Sequence, residues 1–365
     1  MDKTGKHGGD SAKLPFAIDR NGRANLPEQV AEGFRKAIRS GHYKPGDILP
    51  SREKIAQVLG ISLRIPREAI AILANENLVR PRRGVGCTVL ARRETLWKGR
   101  VLLVERHTSE GSYFCGTMMA EVRRCLSRAG YLYSCVTVDM KPRCKYACNV
   151  KPLREELHNQ YDLALAVYPD KTMTCLLRKA LPTILVDGME PDAETICTGG
   201  GSVPDEMLAR CRETGTNRIL YAGYDNCANE VRRLRRMGFK VEYLPVNLDG
   251  RTESLENLER GAFETYSTRF AKPLPELIYF GDDYVARGGL TALLALGIHV
   301  PDDVKVVTLS NKGFAPVFPV SLTQYEHDPV AFGEYVAERI IAKHEGRTVT
   351  HSPVFRRYIP GDSFP

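Results

Sequence analysis

The chain has 365 residues, 43% of them hydrophobic and 26% charged, and a formal net charge of +8. This composition suits a globular protein of two or three domains and excludes collagen-like, mostly disordered and coiled-coil readings. No stretch approaches the roughly 20 apolar residues of a membrane helix. The opening MDKTGKHGGDSAKLPF is polar and lacks the apolar core of a secretory signal, so a cytoplasmic protein is expected. Ten cysteines are too few for a disulfide scaffold; none forms a C-x2-C pair, and Cys144 and Cys148 have no matching His/Cys set. Reduced thiols, no metal and no cofactor are expected.

The charge is unevenly placed. Residues 1–98 hold 19 Lys+Arg against 10 Asp+Glu, and the remainder holds 33 against 34. A basic module joined to a neutral one is expected where only the first must approach a polyanion. Residues 1–25 are rich in Gly, Lys, Asp and Asn and read as a mobile tail. From Leu26, Val30, Phe34, Ala37 and Ile38 recur at helical spacing, and Gly41 ends that helix. Pro45-Gly46 makes a turn. Ser51 is placed to cap a second helix with Ile55, Val58 and Leu59 on its apolar face, and Gly60 closes it. Ser62 is placed to cap a third helix that runs to about Asn75, and ENLVRPRRGVGCTVL reads as strand, turn, strand. Two helices separated by a short turn make a helix-turn-helix.

Residues 26–90 resemble the winged-helix DNA-binding domain of the GntR family of bacterial repressors. The matching pieces are SGHYKPGDILPS (40–51), IAQVLGIS (55–62), REA (67–69), ENLV (76–79) and RRGVGCTV (82–89). The resemblance implies that the start of the third helix enters the major groove of double-stranded operator DNA, with Ser62, Arg64 and Arg67 reaching bases or phosphates. Arg82 and Arg83 would place the wing along or into the minor groove, with Gly84 and Gly86 shaping its turn. Ser51 and Arg52 would face a backbone phosphate. Two positions depart from the family pattern. Glu53 stands where an Arg is usual after LPS, and Leu63 follows the Ser of the LGVS-like piece.

LARRETLWKGR (90–100) reads as a linker, 91–99, with Trp97 as an anchor against either module. From Val101, near-continuous apolar strands alternate with amphipathic helices, which indicates doubly wound parallel sheets covered on both faces. Helices are expected near 114–129, 152–159, 171–180, 203–214, 226–237, 253–268, 285–296 and 329–345. GGGS (199–202) reads as a loop, with Ser202 as a helix cap.

LPELIYFGDDYVARGGLTALLALGIHVPDDVKVVTLSN and VSLTQYEHDPVAFGEYVAERIIAKHEG (320–346) resemble the two-lobed, type I ligand-binding domain shared by LacI-family regulators and periplasmic sugar-binding proteins. The resemblance implies that residues 100–365 bind an effector and dimerise, with crossovers near 197, 324 and 348. It implies a cleft for a small carbohydrate. Asp282 would accept hydrogen bonds from a polyol or cap the following helix, whereas capping is the expected role of Asp283. Ser310 and Asn311 stand where an acidic pair often holds sugar hydroxyls. Tyr113 and Phe114 are placed to stack on a ligand or to join the core, Asp187 ends a strand, and Arg232 lies near the family's ligand-binding Arg.

No G-x-S-x-G, Walker-type loop or catalytic His cluster occurs, so no enzyme is expected. The sequence therefore reads as a ligand-responsive transcriptional regulator, a homodimeric repressor with helices 114–129 or 329–345 at its dimer contact. A sugar-binding transport or chemoreceptor protein without DNA function is the alternative.

Overall fold

The computed structural model describes residues 14–21, 25–76, 78–82, 86–90, 97–106, 112–139, 147–187, 194–198, 202–223, 228–246, 255–270, 273–351 and 356–365. The head comprises α1 (Leu26–Arg39), β1 (Ile48–Leu49), α2 (Arg52–Leu59), α3 (Arg64–Asn75), β2 (Val79–Arg82) and β3 (Gly86–Val89). Its sheet has the order β1-β3-β2 and both pairings are antiparallel. Val30, Phe34, Ile38, Ile55, Ala69, Leu73 and Val79 share one core between the three helices and the wing.

The tail reading needs correcting for residues 14–21. Leu14, Phe16 and Ile18 pack on the head core, and Phe16 meets Phe34 edge-on with ring centroids 5.0 Å apart. The Asp19 amide donates to Gln29 Oε1 and Gln29 Nε2 donates back to the Asp19 carbonyl, both at 2.8 Å. Alternation of apolar residues at 14, 16 and 18 gives one buried side to an extended segment. The polar composition around it concealed that pattern.

The body has two lobes. The first contains β4 (Gly99–Arg106), α4 (Tyr113–Arg128), β5 (Tyr131–Val138), α5 (Lys151–Glu156), β6 (Leu163–Val167), α6 (Lys171–Ala180), β7 (Thr183–Val186) and β8 (Thr195–Ile196). Its parallel sheet has the order β5-β4-β6-β7-β8. Alternate residues of β4 feed the two sides: Val101 and Leu103 enter the core under α4, and Leu102 and Val104 enter the core under α5 and α6.

The second lobe contains α7 (Asp205–Glu213), β9 (Arg218–Gly223), α8 (Ala228–Arg236), β10 (Lys240–Pro245), α9 (Leu255–Arg269), β11 (Leu277–Phe280), α10 (Asp283–Ala295), β12 (Lys305–Asn311) and β13 (Thr323–His327). α11 (Pro329–His344) returns to the first lobe, because Phe332, Tyr335, Val336 and Ile340 share the core under α4. β14 (Arg356–Ile359) then pairs antiparallel with β13 at the end of the order β10-β9-β11-β12-β13-β14. The chain thus passes between lobes after β8, between β13 and α11, and between α11 and β14. Ser202 does not cap a helix: Pro204 precedes α7 without a side-chain cap, and the Ser202 carbonyl accepts from the Tyr279 hydroxyl at 3.3 Å.

Head and body touch through α1. The Asn25 amide donates to the His158 carbonyl at 3.1 Å, Arg39 donates to the Lys98 carbonyl, and Arg100 pairs with Glu28. Glu28 Oε1 also accepts from Arg35 at 3.0 Å, so one carboxylate serves the head interior and the first body strand. Trp97, at the junction, is half-buried.

Candidate DNA-reading face and interlobe cleft

The head turns an uncapped helix end outward. Ser51 accepts from the Lys54 amide at 3.2 Å and so caps α2, leaving Arg52 exposed on its first turn. Ser62 does not cap α3. The residue before that helix is Leu63, without a side-chain cap, and Ser62 contributes only its carbonyl, to the Ile65 amide at 3.1 Å. A turn over Ser62–Leu63 displaces the helix start by one residue and leaves the Ser62 hydroxyl outside. Pro66 sits in the first turn, where its missing N–H has no cost.

Ser62, Leu63, Arg64 and Arg67 are all exposed on this end. Arg64 is held by Glu68 at 2.6 Å. On the wing, Arg80 and Arg82 are exposed, and Gly86 has φ +107, a conformation that favours glycine. Arg83 and Gly84 lie outside the described residues. A helix N-terminus flanked by exposed arginines attracts phosphate.

The second group of residues gathers at the carboxyl ends of the parallel strands, between the lobes. Tyr113, the first residue of α4, reaches across to the second lobe. Its ring stacks on Phe314, with centroids 4.6 Å apart and planes 10° from parallel. Its hydroxyl donates to the Lys312 carbonyl and its amide donates to the Tyr284 hydroxyl, both at 3.2 Å. Arg287 lies 4.0 Å over the other partner of that stack, Phe314, and donates to its carbonyl at 3.1 Å. Phe114 packs between Phe332 of its own lobe and His327 at the end of β13.

Of the acidic pair, Asp282 takes the capping alternative, and Asp283, expected to cap, does not. Asp282 caps α10, accepting from the Tyr284 and Val285 amides at 2.9 and 3.0 Å. Asp283 instead points inward and accepts from Asn311 Nδ2 at 2.9 Å. The extended backbone at Asp282 aims its carboxylate at the helix N–H groups, and only the next residue lies on the helix face turned towards β12. Burial, and then the Asp282 charge, push the Asp283 carboxyl up to about 7.

Asp187 ends β7 in the left-handed region, φ 49, as does Tyr168 after β6. Asp187 accepts from the Thr198 amide at 2.9 Å and from its hydroxyl, and burial raises its pKa against those bonds. Such backbone conformations cost about 1–3 kcal/mol and persist only where surroundings impose them. Arg356 donates to the Thr198 carbonyl and lies over the Tyr325 ring, which joins the two lobes at their crossover. Arg232 is elsewhere: it is exposed on α8, with Asn229 as its hydrogen-bond partner.

Buried polar atoms without a hydrogen-bond partner among the described residues include, here, Ser310 Oγ, Asn311 Oδ1, His327 Nε2 and Arg287 Nε. Asn311 and His327 are register partners at the ends of β12 and β13. Buried polar atoms are nearly always paired, with protein or with ordered water. The sequence reading missed His327, Arg356, Phe314 and Arg287. The strand that ends in His327, TQYEH, is itself mostly polar, so the histidine does not stand out from it, and Phe314, in a loop, carries no periodic signal either.

Burial, reinforced by Arg356, pushes the His327 imidazole down to about 3. The folded chain therefore keeps His327 neutral while the unfolded chain protonates it near pH 6.5. Stability present above pH 6.5 should be lost progressively as pH falls towards 3. Asp283 acts in the opposite sense between about pH 7 and 4. The difference in urea midpoint between wild type and His327→Asn should therefore shrink on acidification; a constant difference would refute the neutral imidazole.

Comparison with known proteins follows this division. Residues 26–89 match the bacterial regulatory proteins of the gntR family, and residues 208–364 match the periplasmic binding protein-like domain. The first match coincides with the head, and the second runs from α7 to the end of β14 and beyond, through the second lobe and α11. Among the groups described, no three His, Cys, Asp or Glu residues are placed to hold a metal, and no helix is long and apolar enough to cross a membrane. Neither matched family is one of enzymes.

The chain is 37% identical over 67 residues to the HTH-type transcriptional regulator Mce2R of Mycobacterium tuberculosis, a match covering 18% of this chain and 28% of that protein. It is 25% identical over 138 residues to the NTD biosynthesis operon regulator NtdR of Bacillus subtilis, covering 37% of this chain and 42% of that one. The chain thus spans less than half the length of these curated relatives. The lac repressor dimer, solved bound to operator and the anti-inducer ONPF, shares its fold with a TM-score of 0.56 at 14% identity, covering 72% of this chain and 93% of that chain.

Proposed function

We propose that this protein is a ligand-responsive transcriptional regulator, a repressor that binds operator DNA as a homodimer and releases or tightens it when a small effector enters the interlobe cleft. The observation that carries this reading is the pairing of an exposed, arginine-flanked helix end in the head with unpartnered buried polar atoms in the body. The names of the relatives, an operon regulator and a repressor bound to operator, support it.

Ser62, Arg64 and Arg67 would enter the major groove, Arg52 would meet phosphate, and the wing with Arg82, Arg83, Gly84 and Gly86 would follow the minor groove. Ser51 serves by fixing α2. In the cleft, Ser310, Asn311 and His327 offer neutral hydrogen-bonding atoms beside Asp282 and Asp283, a set suited to hydroxyl groups and so to a carbohydrate. Tyr113, Phe114 and Asp187 would close over it from the first lobe. Two-fold operators need two heads, and the outward faces of α4 and α11 are available for the dimer contact. The basic head distinguishes this function from that of a transport or chemoreceptor binding protein.

Arg67→Ala and Arg82→Ala chains should fold normally and each lose about 1–3 kcal/mol of DNA affinity. Fluorescence polarisation against the chain's own upstream DNA at fixed salt measures this. Unchanged affinity in both would end the DNA assignment. A saccharide that raises the melting temperature should also shift operator affinity, and the operator should shift saccharide affinity by the same factor.

A further inference from the structure

We propose that the base of the second lobe holds another small-molecule site, remote from the interlobe cleft, for an amphipathic anion: a compact apolar or aromatic body bearing one carboxylate, sulfonate or phosphate. A cavity of about 520 Å³ opens at the amino ends of β9, β10 and β11, the opposite ends of the strands from the cleft. That volume lies within the range of about 300–1,000 Å³ typical of ligand pockets.

The floor is apolar. Leu220, Leu244, Phe270 and Leu274 line it, and they form the edge of the core beneath α9 and α10. The wall is preformed. Phe270 stacks on Tyr266 with centroids 5.1 Å apart and planes 4° from parallel, and the Tyr266 hydroxyl donates to the Leu244 carbonyl at 3.1 Å. Pro273 and Pro275 fix the following loop. A preformed wall lowers the ordering cost of binding.

The rim decides the ligand's charge. Arg218, Arg235, Lys240 and Arg269 line the cavity against a single carboxylate, Glu242. Arg218 is engaged by Glu276 at 3.2 Å, and Arg235 donates to the Val241 carbonyl at 2.8 and 3.1 Å. Lys240 and Arg269 are exposed and have no ion-pair partner among the described residues. Apolar floor and unpaired cations together fit an apolar body with an anionic end.

The test uses the intact chain and two probes that share a ring system, 8-anilinonaphthalene-1-sulfonate and its uncharged counterpart N-phenyl-1-naphthylamine. Fluorescence titration should show saturable one-site binding of the sulfonate, at least ten-fold tighter than the uncharged probe. Lys240→Glu combined with Arg269→Glu should weaken the sulfonate at least ten-fold without moving the melting temperature. Hydrogen exchange should show added protection at 218–220, 240–244 and 266–270. Absence of saturable binding, equal affinity for both probes, or protection confined to the cleft strands' carboxyl ends would overturn the proposal. Should the double variant unfold, Lys240→Gln with the same exchange map decides it.

Discussion

Replacing Arg35 with alanine should destabilise the head by about 3–5 kcal/mol, enough to unfold it at moderate temperature. Arg35 is only 2% exposed, yet it meets three carboxylates. Its Nε and Nη2 atoms form a fork on Glu76 at 2.8 and 2.7 Å, and Nη1 reaches Glu28 at 3.0 Å and Glu32 at 2.8 Å. Burial alone would lower the guanidinium pKa; the three carboxylates overcome it and raise the value. Alanine leaves Glu28, 7% exposed, with Arg100 as its remaining partner, and Glu32, also 7% exposed, with only the looser contacts of Lys36 at 4.0 Å and Arg39 at 3.8 Å. Lysine keeps the charge but cannot make the fork, so it should recover only part of the loss. Hydrogen exchange of α1 amides in the full chain reports the change. Wild-type protection in the alanine variant would show that the cluster is solvated and contributes little.

Gly288→Val should lower the stability of the second lobe by about 3 kcal/mol, the upper end of ordinary overpacking costs. A Cβ at Gly288 would lie 2.1 Å from the Glu259 carbonyl oxygen, 2.7 Å from Ala262 Cβ and 2.8 Å from the Phe263 amide. These are atoms of α9, mostly backbone, so the two helices must separate. α10 begins at Asp283 with Asp282 as its cap, so the same shift moves both carboxylates. A fall in urea midpoint at constant slope checks the packing. An unchanged midpoint would mean that α9 and α10 do not meet this closely in solution.

The alternation of apolar strands and helices was legible because both faces of a parallel sheet are buried. β6, LALAV, is buried at every position, and so is β7, TILV. Local capping was less legible. Ser51 could be read as a cap because a single side chain decides that geometry, whereas at Asp282-Asp283 two adjacent carboxylates compete and only the backbone direction leaving β11 selects between them. Tyr113 and Phe314 are 201 positions apart, so their stack depends on how two lobes meet, and neither residue's neighbours encode it. Residues 14–18 show the converse case: a short period-two pattern was present, but lysine, glycine and aspartate around it dominated the composition.

The double use of Glu28 makes the attachment of the head part of its own internal charge balance. Rotating the head so that Arg100 withdraws would leave Arg35 as the sole guanidinium on that carboxylate, in a cluster already rich in negative groups. Detachment and loosening of α1 are therefore one thermodynamic step. A swivel at this joint is penalised from within the head, so the body biases the orientation of the face that bears Ser62 and Arg67.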